Sequence, residues 1–266
     1  MIDTVAARPQ PVSNGMSGLF DTILYIPFFN FLVFLYNTIA FGDFGLAIIL
    51  LTLIIRFILS PLSIKTFKSQ RILSELQPKV KEIQEKFKDN PQAQTQQIME
   101  LYRQRKINPF SGCLPLLIQL PILIALYRVS IAGFEESSLS VLYSFINRPD
   151  FLNSVSLGFI DLTKRSVSLA IIAGLAQFFQ TKLSVSTQKN SAFKKDQRTN
   201  PLALMNQQML YFFPIITIII SMSFPAGLPL YWIATTLFSI LEQFYIGRIK
   251  VETYGKPNSK SDFPNR

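Results

Sequence analysis

One arginine, Arg56, lies inside the run LTLIIRFILSP (51–61), which is otherwise almost entirely aliphatic and aromatic. A guanidinium stays charged at any physiological pH, and an ionised group inside a membrane-spanning helix costs about 2.5 kcal/mol or more. Such a group usually faces a protein interior or a water-filled cavity. The predicted span ends close by, however, at Pro61. The long side chain of Arg56 could therefore also extend to the membrane interface. The run alone leaves both interpretations open.

Further polar side chains lie at membrane depth in the apolar runs of the chain. Thr52 precedes Arg56 by one helical turn and therefore shares its helix face. Singly, such residues more often form hydrogen bonds between packed helices than a binding site, but together they predict a bundle with a wet interior. The candidates for its lining are Arg56, Thr52, Gln119, Gln177, Gln180 and Trp232.

Glu242 is the acidic residue that lies inside a predicted span. A pair with Arg56 is geometrically allowed, because both residues lie toward the same side of the membrane. An equally good interpretation places Glu242 at the interface beside Arg248. Without a carboxylate partner, Arg56 would be a standing positive charge that attracts acidic or polar segments of a passing chain.

The composition argues against most other chemistry. The sequence has no histidine and a single cysteine, Cys113, which excludes an internal disulfide and makes a thiolate or imidazole metal site implausible. It contains no Walker-type phosphate loop, and we expect no cofactor, no metal and no enzymatic activity. The net charge of +10 lies in blocks between apolar runs, which favours a topology signal over DNA binding.

The hydropathy is typical of a membrane protein, because 49% of the residues are hydrophobic and only 16% are charged. Five segments approach the roughly 20 apolar residues that a helix needs to cross the bilayer. The sequence therefore predicts an all-α membrane protein with five transmembrane helices. The predicted spans are residues 44–61, 111–132, 167–183, 209–224 and 228–246.

A sixth apolar segment, residues 19–43, is interrupted by Asp21, Pro27, Asn30 and Asn37. Its length would allow a span, but the polar residues favour an amphipathic helix that lies in the membrane interface. An extracytoplasmic arm, residues 1–18, precedes it. This arm has no charged region leading into a short apolar core, so we expect no removable signal peptide.

Lysine and arginine are concentrated in three segments, which the positive-inside rule assigns to the cytoplasm. Residues 62–110 carry ten, residues 182–206 carry five and residues 247–266 carry five, whereas the first 43 residues carry one. We therefore predict an extracytoplasmic N-terminus, an extracytoplasmic loop at 133–166, a cytoplasmic loop at 184–208 and a cytoplasmic basic tail.

The first basic segment, residues 62–110, has a pattern of its own. Its apolar residues recur at steps of three and four, as on one stripe of an amphipathic helix, and DNP at 89–91 ends the pattern before a second helix. We predict a cytoplasmic helical hairpin, although a solvated connector fits the pattern equally well. The stripe consists of Ile72, Leu76, Val80, Ile83 and Phe87.

Four motifs occur in order along the chain: IIRFILSPL, LQPKVKEIQEKF, INPFSGCLPLLIQLPILIALYRV and FPAGLPLYW. With them the chain resembles the YidC family of membrane protein insertases, which is related to the mitochondrial oxidase-assembly and chloroplast Alb proteins. The resemblance runs from about residue 20 to residue 249, and its most specific part is NPxxGCxP. It implies the bacterial cytoplasmic (inner) membrane and a short form without the large periplasmic domain of Gram-negative members.

The resemblance implies five spans that enclose a hydrophilic groove, open to the cytoplasm and to lipid, with Arg56 as its positive centre. It also implies groove positions for Thr52, Gln177 and Trp232, although the family often has tyrosine where Trp232 stands. The implied function is that of an insertase and chaperone, which takes nascent membrane proteins into the groove and releases their hydrophobic segments into the lipid bilayer. It would act alone or with the Sec translocon, and the short basic tail implies only weak ribosome binding.

Two other classes of function fit some of these features. A small anion transporter or channel would also place an arginine in a polar cavity, but the sequence shows neither an internal repeat nor a matched pair of broken helices. A solute carrier also has little use for a long cytoplasmic hairpin. A passive assembly scaffold would bind partners without inserting them.

Overall fold

The computed structural model describes residues 16–105, 107–108, 114–132, 134–189 and 201–248. Several predicted features lie wholly or partly outside the described residues: the N-terminal arm, the middle of the NPxxGCxP signature with Cys113, the loop after the third predicted span, and the basic tail. The described part is mostly helical, and its β-structure is one short hairpin in the loop between residues 132 and 167. The predicted class of all-α membrane protein is therefore confirmed at this level.

The chain begins with one continuous helical stretch, in which a π-helical turn (Asp21–Tyr25) separates two α-helices. A long helix of 43 residues follows, and the last helix of the described part packs against it. The helices are α1 (Met16–Phe20), α2 (Ile26–Thr38), α3 (Phe44–Lys86), α4 (Pro91–Gln104), α5 (Leu114–Ala132), α6 (Val167–Lys189), α7 (Pro201–Ser223) and α8 (Gly227–Arg248).

A tight turn joins α2 to α3. Phe41 and Gly42 have φ angles of 53° and 74°, a left-handed conformation that glycine adopts without steric cost. Asp43 then caps α3, because its Oδ1 accepts a hydrogen bond of 2.9 Å from the backbone N–H of Leu46. The sequence predicts a turn at 42–45, and the helix begins inside that range at Phe44.

Helix α3 continues past the predicted end of the first span. Pro61 and Pro78 both lie within it, so the missing N–H groups of these prolines do not end the helix. Residue Thr66, beyond Pro61, is buried, and its hydroxyl donates to the Leu62 carbonyl at 3.1 Å. The first predicted span and the first arm of the predicted hairpin are thus one helix.

The second arm of the hairpin is α4. Asn90 caps it by accepting a hydrogen bond from the Ala93 N–H at 3.0 Å. Gln94 donates its side-chain amide to the Gln84 carbonyl at 3.1 Å, and this bond ties the start of α4 to the end of α3. Residues 44–104 therefore form a helical hairpin whose first arm is much the longer.

Within the described residues, three helical stretches are long and apolar enough to cross a membrane by length and composition: Gly18–Thr38, Phe44–Lys86 and Val167–Ser184. Two shorter apolar stretches are Leu117–Ile131 and Leu210–Ser223. The interfacial position of the N-terminal helix stays a prediction, because its length and composition also allow a span.

Two of the residues that interrupt the N-terminal apolar segment, Asn30 and Asn37, have partners in the loop between α5 and α6. Asn30 donates to the Val141 carbonyl at 3.0 Å and accepts from the Tyr143 N–H at 2.6 Å. Asn37 donates to the Asn147 carbonyl at 2.7 Å. These side chains fix the loop onto α2, so they serve packing rather than mark a break in the helix.

The loop between α5 and α6 is ordered by short elements of its own. It contains a 3₁₀ helix (Glu136–Val141) and an antiparallel hairpin of β1 (Val155–Ser156) and β2 (Ile160–Asp161), which the sequence pattern did not predict. The backbone N–H of Ala226 donates to the Lys164 carbonyl at 2.8 Å, which connects the loop to the turn before α8. The loop thereby covers one end of the bundle.

Candidate functional site

Arg56 points into the bundle rather than toward its periphery. Its neighbours on α3, Phe57 and Ile58, are 76% and 67% exposed. Arg56 is more buried than either and is half-buried. Its Nη2 donates a hydrogen bond of 3.3 Å to Oε1 of Gln119 on α5. The apolar periphery of α3 is therefore formed by Phe57 and Ile58, and the guanidinium belongs to the interior.

Gln119 extends this contact to a third helix. Its Nε2 donates to the phenolic oxygen of Tyr231 on α8, so one amide side chain accepts from Arg56 and donates to Tyr231. This orientation satisfies both ends of the amide. The three side chains form a polar bridge across α3, α5 and α8 at the depth of Arg56.

A cleft lies beside this bridge, and its empty space is about 440 Å³, including the part that is open to solvent. Its lining mixes apolar and polar side chains. The lining residues are Thr52, Ile55, Arg56, Leu59, Leu62, Ser63, Thr66, Ile118, Gln119, Ile122 and Tyr231.

The threonine hydroxyls of the cleft donate to their own helix. Thr52 Oγ1 donates to the Ile48 carbonyl at 2.6 Å, and Thr66 donates to the Leu62 carbonyl in the same way. Their oxygens are left as acceptors only, while Arg56 has donors beyond the one that Gln119 accepts. The cleft therefore has a positive centre and suits a carboxylate or a chain of carbonyl groups.

Glu242 lies on α8 near this centre but forms no ion pair in the geometry of the structure. Its side chain is buried, with 7% exposed, and neither carboxylate oxygen has a hydrogen-bond partner among the described residues. Ser60 and the Arg56 charge are its polar neighbours. The interaction with Arg56 is thus electrostatic at longer range.

The structure brings three of the six predicted lining residues together, Thr52, Arg56 and Gln119. Trp232 packs against the hydrophobic core instead, and its neighbour Tyr231 reaches the cleft. Gln177 and Gln180 are half-buried on α6 and are not among the residues that line this cleft. Their side chains stay candidates for a wider groove, since α6 packs against α8.

Three polar lining residues were absent from the sequence prediction: Tyr231, Ser63 and Thr66. Ser63 and Thr66 follow Arg56 at intervals of seven and ten, which a continuous helix places on one side. Because the prediction ended the first span at Pro61, this signal was not used. Tyr231 stands beside Trp232 in the FPAGLPLYW motif, where the pattern gave no reason to prefer one ring.

The other end of the bundle is closed by the loop and the start of α3. Ser156 donates its hydroxyl to Oδ1 of Asp43 at 2.6 Å, and the Leu157 N–H donates to Oδ2 at 2.6 Å. Partial burial alone would raise the pKa of Asp43, but the hydrogen bonds from Ser156, Leu157 and Leu46 outweigh it and lower the pKa. The ionised Asp43 thus ties the loop hairpin to α3.

Asp161 forms further polar contacts within the same loop. Hydrogen bonds from Thr163 and Lys164 lower the pKa of Asp161 to about 2, and Lys164 Nζ lies 3.0 Å from Oδ2. On the other side, Arg128 of α5 forms an ion pair with Asp21. With a packed core between the N-terminal helix, α3, α5 and the loop, the cleft is closed toward this end.

Comparison with known proteins identifies one family and relatives that share one name. Residues 34–253 match the family model described as 60Kd inner membrane protein. A protein of Fusobacterium nucleatum subsp. nucleatum named Membrane protein insertase YidC is 36% identical over 219 residues, which are 82% of this chain and 93% of the relative. A protein of the same name from Oceanobacillus iheyensis is 34% identical over 244 residues, 90% of this chain and 88% of the relative.

A longer relative has the same name. It comes from Francisella tularensis subsp. novicida and is 33% identical over 256 residues. These residues are 96% of this chain but 41% of the relative. The similarity thus covers nearly all of this chain and less than half of that protein.

Proposed function

The chain belongs to the 60Kd inner membrane protein family, and from this premise we propose that the Arg56 cleft is where a membrane protein insertase receives its clients. The protein is an insertase of the inner membrane. Its clients are nascent membrane proteins, and its product is a hydrophobic segment that has moved into the lipid bilayer. No bond of the client is made or broken, so the function requires no catalytic group.

In the proposed arrangement α3, α5, α6, α7 and α8 all cross the membrane, with the N-terminus outside and the C-terminus in the cytoplasm. Large apolar side chains exposed on each of these helices support it, because they suit contact with lipid tails. Examples are Phe57, Leu117, Phe179, Phe212 and Leu241. The cleft then opens to the cytoplasm and widens into a groove that includes Gln177, Gln180 and Trp232.

The observation that carries the proposal is the position of Arg56 at the head of the cleft. Gln119 accepts one hydrogen bond from the guanidinium, which leaves further N–H donors of Arg56 for a client. A client tail with carboxylates and free carbonyl groups offers the complementary acceptors. The site therefore favours an extended acidic segment over a basic one.

A shorter path through hydrocarbon lowers the free-energy cost of moving the polar groups of the client across the membrane. Each backbone group without a hydrogen-bond partner costs several kcal/mol in hydrocarbon, and a wet cleft that reaches Arg56 removes part of that path. The hydrophobic segment of the client then partitions sideways into lipid. Across the bilayer, the membrane potential contributes about 2.3 kcal/mol per charge per 100 mV.

Two further partners belong to this proposal. The basic hairpin of α3 and α4 faces the cytoplasm in the proposed orientation, where it receives a chain that leaves the ribosome. Weak contact with ribosomal RNA is expected from the small number of basic residues in the tail. In this proposal the protein works alone or beside the Sec translocon.

Reconstitution tests the function directly. The purified protein is placed in liposomes, and insertion of a small single-span client with an acidic N-terminal tail is measured by protection of the tail from protease. We expect Arg56→Ala to abolish insertion and Arg56→Lys to retain most of it. Phe57→Ala, on the lipid-facing side of the same turn, is the matched control and should insert as the wild type does. Equal insertion by Arg56→Ala would contradict the role of the charge.

The same liposomes separate an insertase from an anion transporter. An anion carrier would take up a small labelled anion without any client, and Arg56→Ala would remove that uptake. We expect no uptake above the level of protein-free liposomes. A passive scaffold would bind the client without protecting its tail from protease.

A further inference from the structure

Two large apolar residues at the closed end of the bundle have a left-handed backbone conformation. Phe41 lies in the turn between α2 and α3 with a φ angle of 53°, and Leu157 lies at the tip of the β1–β2 hairpin with a φ angle of 52°. This conformation is uncommon for residues other than glycine, asparagine and aspartate, and it is strained for a bulky side chain. Such strain persists only where the surrounding structure holds the backbone in place.

The base of the hairpin is fixed to the start of α3. Ser156 is fully buried, and its hydroxyl donates to Oδ1 of Asp43, while the Leu157 N–H donates to Oδ2. A Cβ atom at Gly45 would clash with the Ser156 side chain, so the hairpin packs against α3 as closely as a glycine allows. One residue, Asp43, therefore connects the hairpin tip to the turn before α3.

The side chains at this end are apolar although they are exposed. Phe41 is 92% exposed, Leu157 is 54% exposed and Phe159 is 79% exposed. The central residues of the hairpin turn, Leu157 and Gly158, both have positive φ angles, and asparagine or aspartate is preferred at the first position of such a turn. The hairpin segment VSLGFI (155–160) has no charged residue. The chain thus has apolar side chains where polar ones would fold with less strain.

The lipid bilayer is the partner that fits this surface. The family is one of the inner membrane, and the exposed residues Phe34 and Ile39 continue the apolar surface along the chain before the turn. Two phenylalanines and a leucine offer on the order of 500 Å², which is less than the roughly 800 Å² per partner of a specific protein interface. Insertion into a bilayer surface requires no such minimum area, because each buried apolar group contributes by itself.

We propose that Phe41, Leu157 and Phe159 form an apolar tip that inserts into the bilayer leaflet at the closed end of the bundle. The loop between α5 and α6 thereby anchors this end in the membrane, and lipid acyl chains are its ligand. The inference uses the membrane setting of the family and does not depend on Arg56 or on the cleft.

Quenching of tryptophan fluorescence by brominated lipids tests the insertion. Trp232 is the single tryptophan of the chain, so Phe159→Trp in a Trp232→Phe background reports on the apolar tip alone. The full chain is placed in vesicles of phosphatidylcholine and phosphatidylglycerol. We expect bromine near the headgroup end of the acyl chains to reduce the emission about twofold, and bromine near the chain ends to reduce it less.

The matched control is Asp150→Trp in the same background. Asp150 is an exposed acidic residue of the same loop, and a tryptophan there should be quenched little by either lipid. Unchanged emission of Phe159→Trp in brominated lipid would overturn the proposal, as would equal quenching of Asp150→Trp. Quenching that falls as more protein is placed in each vesicle would show that a second copy of the chain, rather than lipid, covers the tip.

A double variant separates membrane contact from folding. Asparagine tolerates the left-handed conformation, so Phe41→Asn combined with Leu157→Asn should unfold in detergent at the wild-type temperature or above it. The same double variant should lose most of the quenching of Phe159→Trp by brominated lipid. Retained quenching would contradict the role of the two side chains as an anchor, and a lower unfolding temperature would assign them to folding instead.

Discussion

Gln119 accepts a hydrogen bond of 3.3 Å from Arg56 and donates one to Tyr231, so a single amide connects the charged residue of α3 with α8. An amide can accept from the guanidinium without neutralising it. The position of Arg56 is thus fixed while its charge is preserved. A carboxylate at the same place would fix the position and remove the charge.

This relationship predicts opposite outcomes for two substitutions of Gln119. Gln119→Glu should reduce insertion of acidic-tail clients about as much as Arg56→Ala, because a carboxylate in contact with Arg56 cancels its charge. Gln119→Leu should retain a measurable part of the insertion, because the charge stays while the two hydrogen bonds to Arg56 and Tyr231, roughly 1 kcal/mol each, are lost. Protease protection of the client tail measures both. Equal losses would show that geometry, rather than charge, controls the site.

The cleft is also predicted to be wet and positive, which thiol labelling measures. In a Cys113→Ser background, Ser63→Cys should react with a negatively charged methanethiosulfonate about tenfold faster than with a positively charged reagent of similar size. The reaction requires a hydrated thiolate. Arg56→Ala should remove the difference between the two reagents.

The matched control for labelling is Phe57→Cys in the same background. This position is exposed on the apolar side of α3 and should react slowly with both reagents if it faces lipid. Equal rates for the two reagents at Ser63→Cys, with Arg56 present, would contradict a positive cleft.

A third prediction concerns the closed end of the bundle and its dependence on pH. The pKa of Asp43 is lowered in the folded protein, so its contribution to stability is present above the unfolded pKa and is lost as the pH falls through the folded value. Asp43→Ala should lower the free energy of unfolding by about 2 kcal/mol at pH 7, because it removes a helix cap and two bonds to the loop. The difference from the wild type should shrink below about pH 4.

Thermal unfolding in detergent between pH 7 and about pH 2 measures this difference, because the loss occurs below the unfolded pKa. Asp150→Ala is the control, because Asp150 is an exposed acid of the same loop and its removal should leave the unfolding temperature nearly unchanged. A difference between Asp43→Ala and the wild type that stays constant over the whole range would show that the ionised carboxylate is not what ties the loop to α3.

The sequence by itself was sufficient for the class of protein, and it also singled out Arg56 as the candidate centre of the site. Apolar runs of membrane length follow directly from residue type, and a helix satisfies its own backbone groups in lipid, so those runs predict helices with little help from packing. Arg56 stood out by residue type as well, because a permanent charge in an apolar run is costly. Thr52 followed from helical spacing, and Gln119 from its depth in another span.

Tertiary structure decided which side chains meet. Whether α3 ends at Pro61 depends on contacts with other helices, which stabilise the turns beyond the proline. Because α3 continues past Pro61, Ser63 and Thr66 reach the cleft. The choice between Tyr231 and Trp232 depends on the rotation of α8 against α3 and α5, which a nearly uniform apolar helix does not encode locally. The loop contacts of Asn30, Asn37 and Asp43 join residues more than a hundred positions apart. Only the folded chain therefore reveals that these polar groups close one end of the bundle, away from Arg56.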